Sequence, residues 1–402
     1  MKNYFSSHLT FCLVLSFFAC YNSNFAQEHM TNHQSMLHNK SDINPPIAKK
    51  IPFQLVKHGD TRVDDYYWMK LTDEQKLAKN SDAATTEVVA YLNAENTYRE
   101  KMTSHLADLE VTLFEEIKGR IKQTDESVPF KDNGYFYITK FEEGKEYPIF
   151  TRKKGSLQSK EEVLIDVNEL AKPYDYYNVA GKSVSPNNKT LVFGEDTLSR
   201  RQYTLRFKNL ETGEILPDVI ANTTGGATWA NDNKTIFYTR KDESLRSYKI
   251  FKHKLGTDPS TDQEVYHETD ETFGTFVYKT KSKKYLVIGS YATVSAEYRI
   301  LEADNPDGQF RIFQPRERGL EHSISHFEDK WYVYTNKDGA FNFKVMTTPE
   351  HKTTKDNWED LIGHREDVFV ESLEIFSKYL VITERINANK SLRIMPQSGG
   401  EH

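Results

Sequence analysis

Between His58 and Lys70 the chain reads HGDTRVDDYYWMK. A histidine, an arginine, three aspartates and three aromatic residues fall within thirteen positions. Nucleophilic catalysis would need a histidine oriented by a carboxylate beside a serine, cysteine or threonine aimed at it. His58 and Asp60 are close in sequence, but no nucleophile is recognisable beside them. In an extended segment Val63, Asp65 and Tyr67 would face one way, and Asp64, Tyr66 and Trp68 the other. Aromatics mixed with an arginine and paired acids suit docking onto a second surface. The expected docking set is His58, Asp60, Arg62, Asp64, Tyr66 and Trp68. A second candidate is LSRRQY, where Arg200 and Arg201 lie side by side. Guanidinium groups grip carboxylates bidentately, so the pair reads as a carboxylate or interdomain clamp. A solvated or salt-bridged pair is the alternative.

Other chemistry is not in evidence. A nucleophile elbow needs G-x-S-x-G, and the sequence has none; GKSVSP at Gly181 lacks the second glycine. There is no H-E-x-x-H, phosphate-binding loop or dinucleotide glycine pattern. Both cysteines, Cys12 and Cys20, lie in the N-terminal segment, so disulfides, cysteine–zinc sites and thiol nucleophiles are excluded from the remainder. No metal or cofactor is expected. A formal charge of −6 gives no electrostatic case for nucleic acid.

The elements that must carry these residues fall into four regions. Residues 1–26 have Lys2 in front and an apolar run from Leu9 to Ala19, too short to span a bilayer, and read as a signal peptide. Cleavage after Ala26 and lipidation at Cys20 remain two readings of its end, so the protein is expected to be exported, either periplasmic or lipid-anchored. Residues 27–45 are polar and aperiodic and read as a flexible tether. Residues 46–125 begin as an extended arm, since Pro45 and Pro46 forbid a helix. From about Thr86 to Ile121 apolar residues recur at threes and fours, which predicts one or two long amphipathic helices whose stripe must be buried.

Residues 126–402 are β-rich and repetitive. Apolar strand cores begin at Tyr135, Leu191, Ile236, Leu286, Tyr332 and Leu380, at intervals of 45 to 56 residues. A polar turn precedes each core, and a second strand follows ten to fifteen residues later. One strand–loop–strand–turn unit at this spacing is the signature of propeller blades. A hydrophobic content of 37% with 28% charged residues suits thin sheets with much wet surface. The fold class is therefore mainly β. It is a β-propeller of about six blades, preceded by an arm and one or two amphipathic helices.

The segments PPIAKKIPFQLVKHGDTRVDDYYWMK, EVVAYLNAENTY, EDTLSRRQYTLRFKNLETGE and TWANDNKTIFYT closely resemble the oligopeptidase B group of the prolyl oligopeptidase family of serine peptidases. The resemblance covers about Pro45 to Met395. It implies a seven-bladed propeller above an α/β-hydrolase domain, with the N-terminal arm belonging to the hydrolase side. It also implies acyl transfer by a serine, histidine and aspartate, on short basic peptides cut after Lys or Arg. The chain departs from that pattern by stopping at SLRIMPQSGGEH. The seventh blade and the hydrolase domain are expected to be missing, so the triad maps onto no residue here. As a 402-residue polypeptide it is expected to be inactive and marginally stable or aggregation-prone. The rival reading is a free-standing exported propeller used as a binding scaffold. Membrane contact is expected only through a lipid anchor.

Overall fold

The structure is a computed structural model and describes residues 43–397. The signal segment, most of the tether and Cys20 lie outside the described residues. The chain divides into two compact units at Lys122 and Gln123, three residues before the boundary expected at residue 125.

In the first unit the arm is not simply extended. Phe53–Lys57 and Asp60–Asp64 form an antiparallel hairpin, with Lys57 opposite Asp60 and Phe53 opposite Asp64. His58 (φ 54°) and Gly59 (φ 81°) form its two-residue turn, both left-handed, the pairing that matches strand twist. A 3₁₀ turn follows at Tyr67–Met69. Three helices come next, α1 (Asp73–Leu77), α2 (Ala83–Thr103) and α3 (Ala107–Gly119). Thr72 and Gln75 make a reciprocal capping box at α1, and the Asp82 carboxylate accepts from Thr85 N at 2.7 Å to start α2. The break between α2 and α3 is a 3₁₀ turn at Ser104–Leu106, so the long periodic stretch resolves into two helices.

The second unit is the propeller. Blade 1 pairs Phe130–Asp132, Tyr135–Phe141, Ile149–Lys154 and Glu161–Asp166, with Asp125–Glu126 also on Tyr135–Phe141. Blades 2 and 3 form one seven-stranded sheet, because Ile215–Trp229 ends blade 2 and begins blade 3. Blade 4 runs from Gly274 to Gln314 and blade 5 from His322 to Ile362, with four strands each. Blade 6 has three strands among the described residues, Val368–Ile375, Tyr379–Ile386 and Asn389–Pro396. The six apolar cores read from the sequence are the second strands of these six blades.

Those cores are continuously apolar because blades 2 to 5 are each buried on both faces. Along a strand the faces alternate. Leu191 and Phe193 pack towards blade 1 while Val192 packs towards blade 3. Leu286 and Ile288 face blade 3, and Tyr285 and Val287 face blade 5. Trp331 and Val333 face blade 4, and Tyr332 faces blade 6. Burying one such side chain contributes about 1.5–3 kcal/mol, so the interblade layers dominate stability. Among the described residues the far face of blade 6 has no such cover. There Ile394 lies opposite Val381 and Leu392 opposite Thr383, with Leu392 67% exposed and Ile394 49% exposed.

Turn chemistry keeps the repeat in register. The polar turns between first and second strands carry left-handed residues at Asn133, Asn188, Asn233 and Lys283. Their side chains also tie neighbouring blades: Asn133 Nδ2 donates to Pro186 O at 2.7 Å, and Asn233 Oδ1 accepts from Asn187 N at 2.7 Å. The shared strand of blades 2 and 3 passes Gly194 so closely that a Cβ there would lie 2.4 Å from Gly225 O. Gly194→Ala is therefore expected to cost about 3 kcal/mol in urea unfolding. Gly213→Ala, at φ 81° with open space around it, should cost about 1 kcal/mol. Equal losses would mean that the close approach is not what fuses the two blades.

Two buried histidines respond to pH in opposite directions. His253 sits between Asp262 (2.7 Å to Nδ1) and Asp218 (3.1 Å to Nε2) and is fully buried. Burial opposes its charge, but Asp262 and then Asp218 outweigh burial and raise its pKa. Its contribution is complete below the unfolded pKa and fades as pH rises through the folded one. His322 lies against Tyr298 and Trp358 with neither ring nitrogen partnered among the described residues, and burial drives its pKa down to about 4. Its contribution is complete above the unfolded pKa and fades as pH falls towards 4. Lowering pH from 7 to 4.5 should cost about 2–3 kcal/mol through His322. His322→Phe should lose that much less over the same interval in urea titrations. An identical acid loss in both proteins would contradict the assignment.

Candidate functional site

The hairpin separates the residues of HGDTRVDDYYWMK. Asp60, Arg62 and Asp64 share one face with Phe53 and Leu55, while Val56 and Val63 share the other. The expected single alternating face is thus corrected, because the chain turns back at His58–Gly59 and curls again at Tyr67. His58 is exposed at the hairpin tip. Asp64 Oδ1 accepts from Tyr66 N at 2.9 Å and starts the 3₁₀ turn. That turn stacks Tyr67 on Phe53 at 4.1 Å.

Trp68 does a different job from its neighbours. Its Nε1 donates to Lys49 O at 3.0 Å, its ring meets Tyr91 edge-on, and the Lys49 ammonium lies over it. Lys49 also pairs with Glu87 on α2. Trp68 therefore braces the hairpin against α2 within this unit. His58, Asp60, Arg62 and Tyr66 remain exposed.

The helices present the larger surface. Val88 is the one apolar residue of α2 and α3 that is buried. Leu92, Leu109, Leu113, Phe114 and Ile117 are each about half exposed or more, and so are Val56 and Val63 of the hairpin. Apolar patches of this kind mark interaction surfaces. Of the stripe that the sequence required to be buried, Tyr91, Tyr98, Met102 and Leu106 are partly buried, whereas Leu92 and the α3 residues Leu109, Leu113 and Ile117 are uncovered within the described residues.

Arg200 and Arg201 occupy the loop between the second and third strands of blade 2. The buried Asp196 carboxylate shapes that loop, accepting from Leu198 N at 2.9 Å, Arg200 N at 3.0 Å and Arg201 N at 2.8 Å. Ser199 and Arg201 are held left-handed (φ 57° and 55°). Lys241 Nζ donates to Arg201 O at 2.6 Å. Both arginine side chains are exposed, and neither is ion-paired among the described residues. A rigid loop thus presents two guanidinium groups with spare donors, which is what a clamp for carboxylates requires.

One constellation was invisible to sequence reading. Ser282 Oγ lies 2.9 Å from His326 Nδ1, and His326 Nε2 lies 3.1 Å from Glu350 Oε1. The order matches a nucleophile–base–acid relay. Its surroundings are those of a structural pin. His326 is buried edge-on between Tyr285 and Trp331, and Glu350 also accepts from Tyr285 and pairs with Lys284. The group ties the first turn of blade 4 to blade 5. Ser282 comes from blade 4 and His326 and Glu350 from distant positions in blade 5, so no local motif announces it.

Comparison with known proteins places this geometry. The model of the prolyl oligopeptidase N-terminal beta-propeller domain matches residues 45–402. Dipeptidyl aminopeptidase BI of Pseudoxanthomonas mexicana is 41% identical over 371 residues, covering 88% of this chain and 50% of the relative. Protease 2 of Moraxella lacunata is 30% identical over 349 residues, covering 85% of this chain and 49% of the relative. The solved oligopeptidase B of Leishmania major superposes with a TM-score of 0.79 at 29% identity, covering 88% of this chain and 51% of that one. The chain spans about half the length of the relatives it matches. Six repeating blades that follow a hairpin-and-helix unit in the sequence, matched by the family over residues 45–402, show that the chain belongs to the prolyl oligopeptidase family of serine peptidases through its N-terminal propeller domain.

Proposed function

We propose that this chain is the N-terminal portion of an exported oligopeptidase B-type serine endopeptidase that cuts short peptides after Lys or Arg. The carrying observation is the uncovered apolar face of α2, α3 and the hairpin. That face is one half of an interface, and a catalytic hydrolase half is its other side. The exposed His58, Asp60, Arg62 and Tyr66 form the polar rim of that interface, with Asp64 and Trp68 shaping it from within. Arg200 and Arg201 hold carboxylates of the same catalytic half. The uncovered face of blade 6 takes a further blade. On this reading the serine, histidine and aspartate of acyl transfer belong to the catalytic half, and the 402-residue chain alone does not hydrolyse peptides.

A second reading concerns the product. The relative at 41% identity bears the name of a dipeptidyl aminopeptidase, whereas the one at 30% is named simply as a protease. The first name supports release of dipeptides from a free N-terminus as the second reading beside internal cleavage. Export rests on Lys2 and the Leu9–Ala19 run, with Cys20 as the lipid-bearing residue if an anchor is present.

Two outcomes are expected. The protein encoded together with its downstream reading frame should cleave acyl-arginyl and acyl-lysyl amides at least about 100-fold faster in kcat/KM than acyl-alanyl amides, a transition-state difference of about 2.7 kcal/mol. Faster cleavage of dipeptidyl amides with a free amine than of their acylated forms would favour dipeptide release. No preference for basic residues would sink the oligopeptidase B reading, and no hydrolysis at all would favour the scaffold. In the same protein, Arg200→Ala with Arg201→Ala should weaken cohesion of the two halves. The loss should be largest at low salt and shrink as salt rises, since exposed charges are screened. Unchanged thermal unfolding at low and high salt would exclude the clamp.

A further inference from the structure

Two neighbouring cavities of the propeller unit share Tyr278 and Lys279 in their walls, with volumes of about 390 Å³ and 290 Å³. The larger lies among blades 4, 5 and 6 and is walled by Ile324, Phe327, Leu373, Ile375 and Phe376. Lys281 guards its rim, paired with Glu374 at 2.9 Å and lying over the Phe376 ring at 4.0 Å. The smaller lies among blades 1 to 4 and is lined by polar groups, including Ser185, Asn188 and Thr228.

Lys279 stands where the two meet with its bonding capacity largely unused. An ammonium has three N–H donors. The Lys279 Nζ donates to Asn231 Oδ1 at 3.0 Å and has no carboxylate within ion-pair distance among the described residues. The acids around it are engaged elsewhere. Asp132 holds Lys283 at 2.8 Å, Asp304 accepts from Asn231 Nδ2 at 2.8 Å, and Asp232 caps its own turn at Lys234 and Thr235. Burial, and then the neighbouring Lys283, pull the Lys279 pKa down to about 8, as expected of an ammonium short of counter-charge. Close by, Asn188 Oδ1 is buried without a hydrogen-bond partner among the described residues.

We propose that these joined cavities bind an apolar carboxylate, its chain among Ile324, Phe327 and Phe376 and its carboxylate on Lys279. A neutral apolar ligand would leave the ammonium unsatisfied, and a bare inorganic anion would leave the apolar wall wet. The ligand has two natural sources, the C-terminal residue of a short peptide or a free aliphatic acid. The unpartnered Asn188 Oδ1 favours the peptide, whose last amide N–H it can accept. The peptide source rests on the peptidase reading above, whereas the carboxylate site does not.

The test titrates the 402-residue chain with N-acetyl-leucine, N-acetyl-leucinamide, octanoate and inorganic phosphate, by calorimetry. A second readout follows reductive methylation of Lys279 by mass spectrometry. N-acetyl-leucine should bind at least about tenfold tighter than its amide and slow Lys279 methylation by a similar factor. Lys279→Met should lose that preference, and Lys279→Arg should keep most of it. Tighter binding of N-acetyl-leucine than of octanoate supports the peptide source, and the reverse supports the aliphatic acid; either keeps the site. Equal binding of acid and amide overturns the proposal. So does phosphate binding as tightly as the acids, or an unchanged preference in Lys279→Met. Should that variant fail to fold, protection of Lys279 in the wild-type chain decides.

Discussion

Burial of both faces of a thin sheet is the constraint on which this structure depends. A blade of four short strands has no interior of its own, so its stability comes from the layers it shares with its neighbours. That is why Leu191 and Phe193 belong to one interblade layer and Val192 to the next, and why the same alternation recurs at Leu286–Ile288 and Trp331–Val333. Polar ties at the turns, such as Asn133 to Pro186, then fix the rotation of each blade on the next. The pin of Ser282, His326 and Glu350 does the same for blades 4 and 5.

The same constraint singles out the apolar faces that are uncovered among the described residues. Blade 6 ends in Asn389–Pro396 with Leu392 and Ile394 turned outwards. The helical unit has Val88 buried and a row of larger apolar residues exposed. Trp68 and Lys49 hold the hairpin to α2, so the unit is shaped although its broad face is bare. A surface that is ordered and apolar but uncovered is the form expected of half an interface. It accords with a chain that spans about half the length of its relatives.

Much of the fold was legible in the sequence because blade cores apolar on both faces cannot be confused with half-exposed strands. The intervals between cores, the polar turns before them and the helical stripe each had a local cause. The arm was read less well. Its prolines argue for extension, and the His58–Gly59 turn was masked by the attention its charged neighbours attract. The docking set was only partly separable, since whether Trp68 faces outwards or braces α2 depends on Tyr91 and Lys49, which lie on different elements. Fusion of blades 2 and 3 through one strand depends on glycines at 181, 194, 225 and 226 approaching in space, which no local pattern announces. Lys279 and the His326 group were illegible for the same reason, since their partners lie far away in sequence.

The most direct measurement is amide hydrogen exchange across residues 83–119, in the 402-residue chain and in a protein that joins it to the hydrolase half proposed above. Helices with an uncovered stripe open locally at little cost, whereas docked helices exchange only through larger openings. The account predicts rapid exchange in the chain alone and at least about 100-fold slower exchange once the catalytic half is present. Equal protection in both would contradict it, because the apolar face of α2 and α3 would then need no partner.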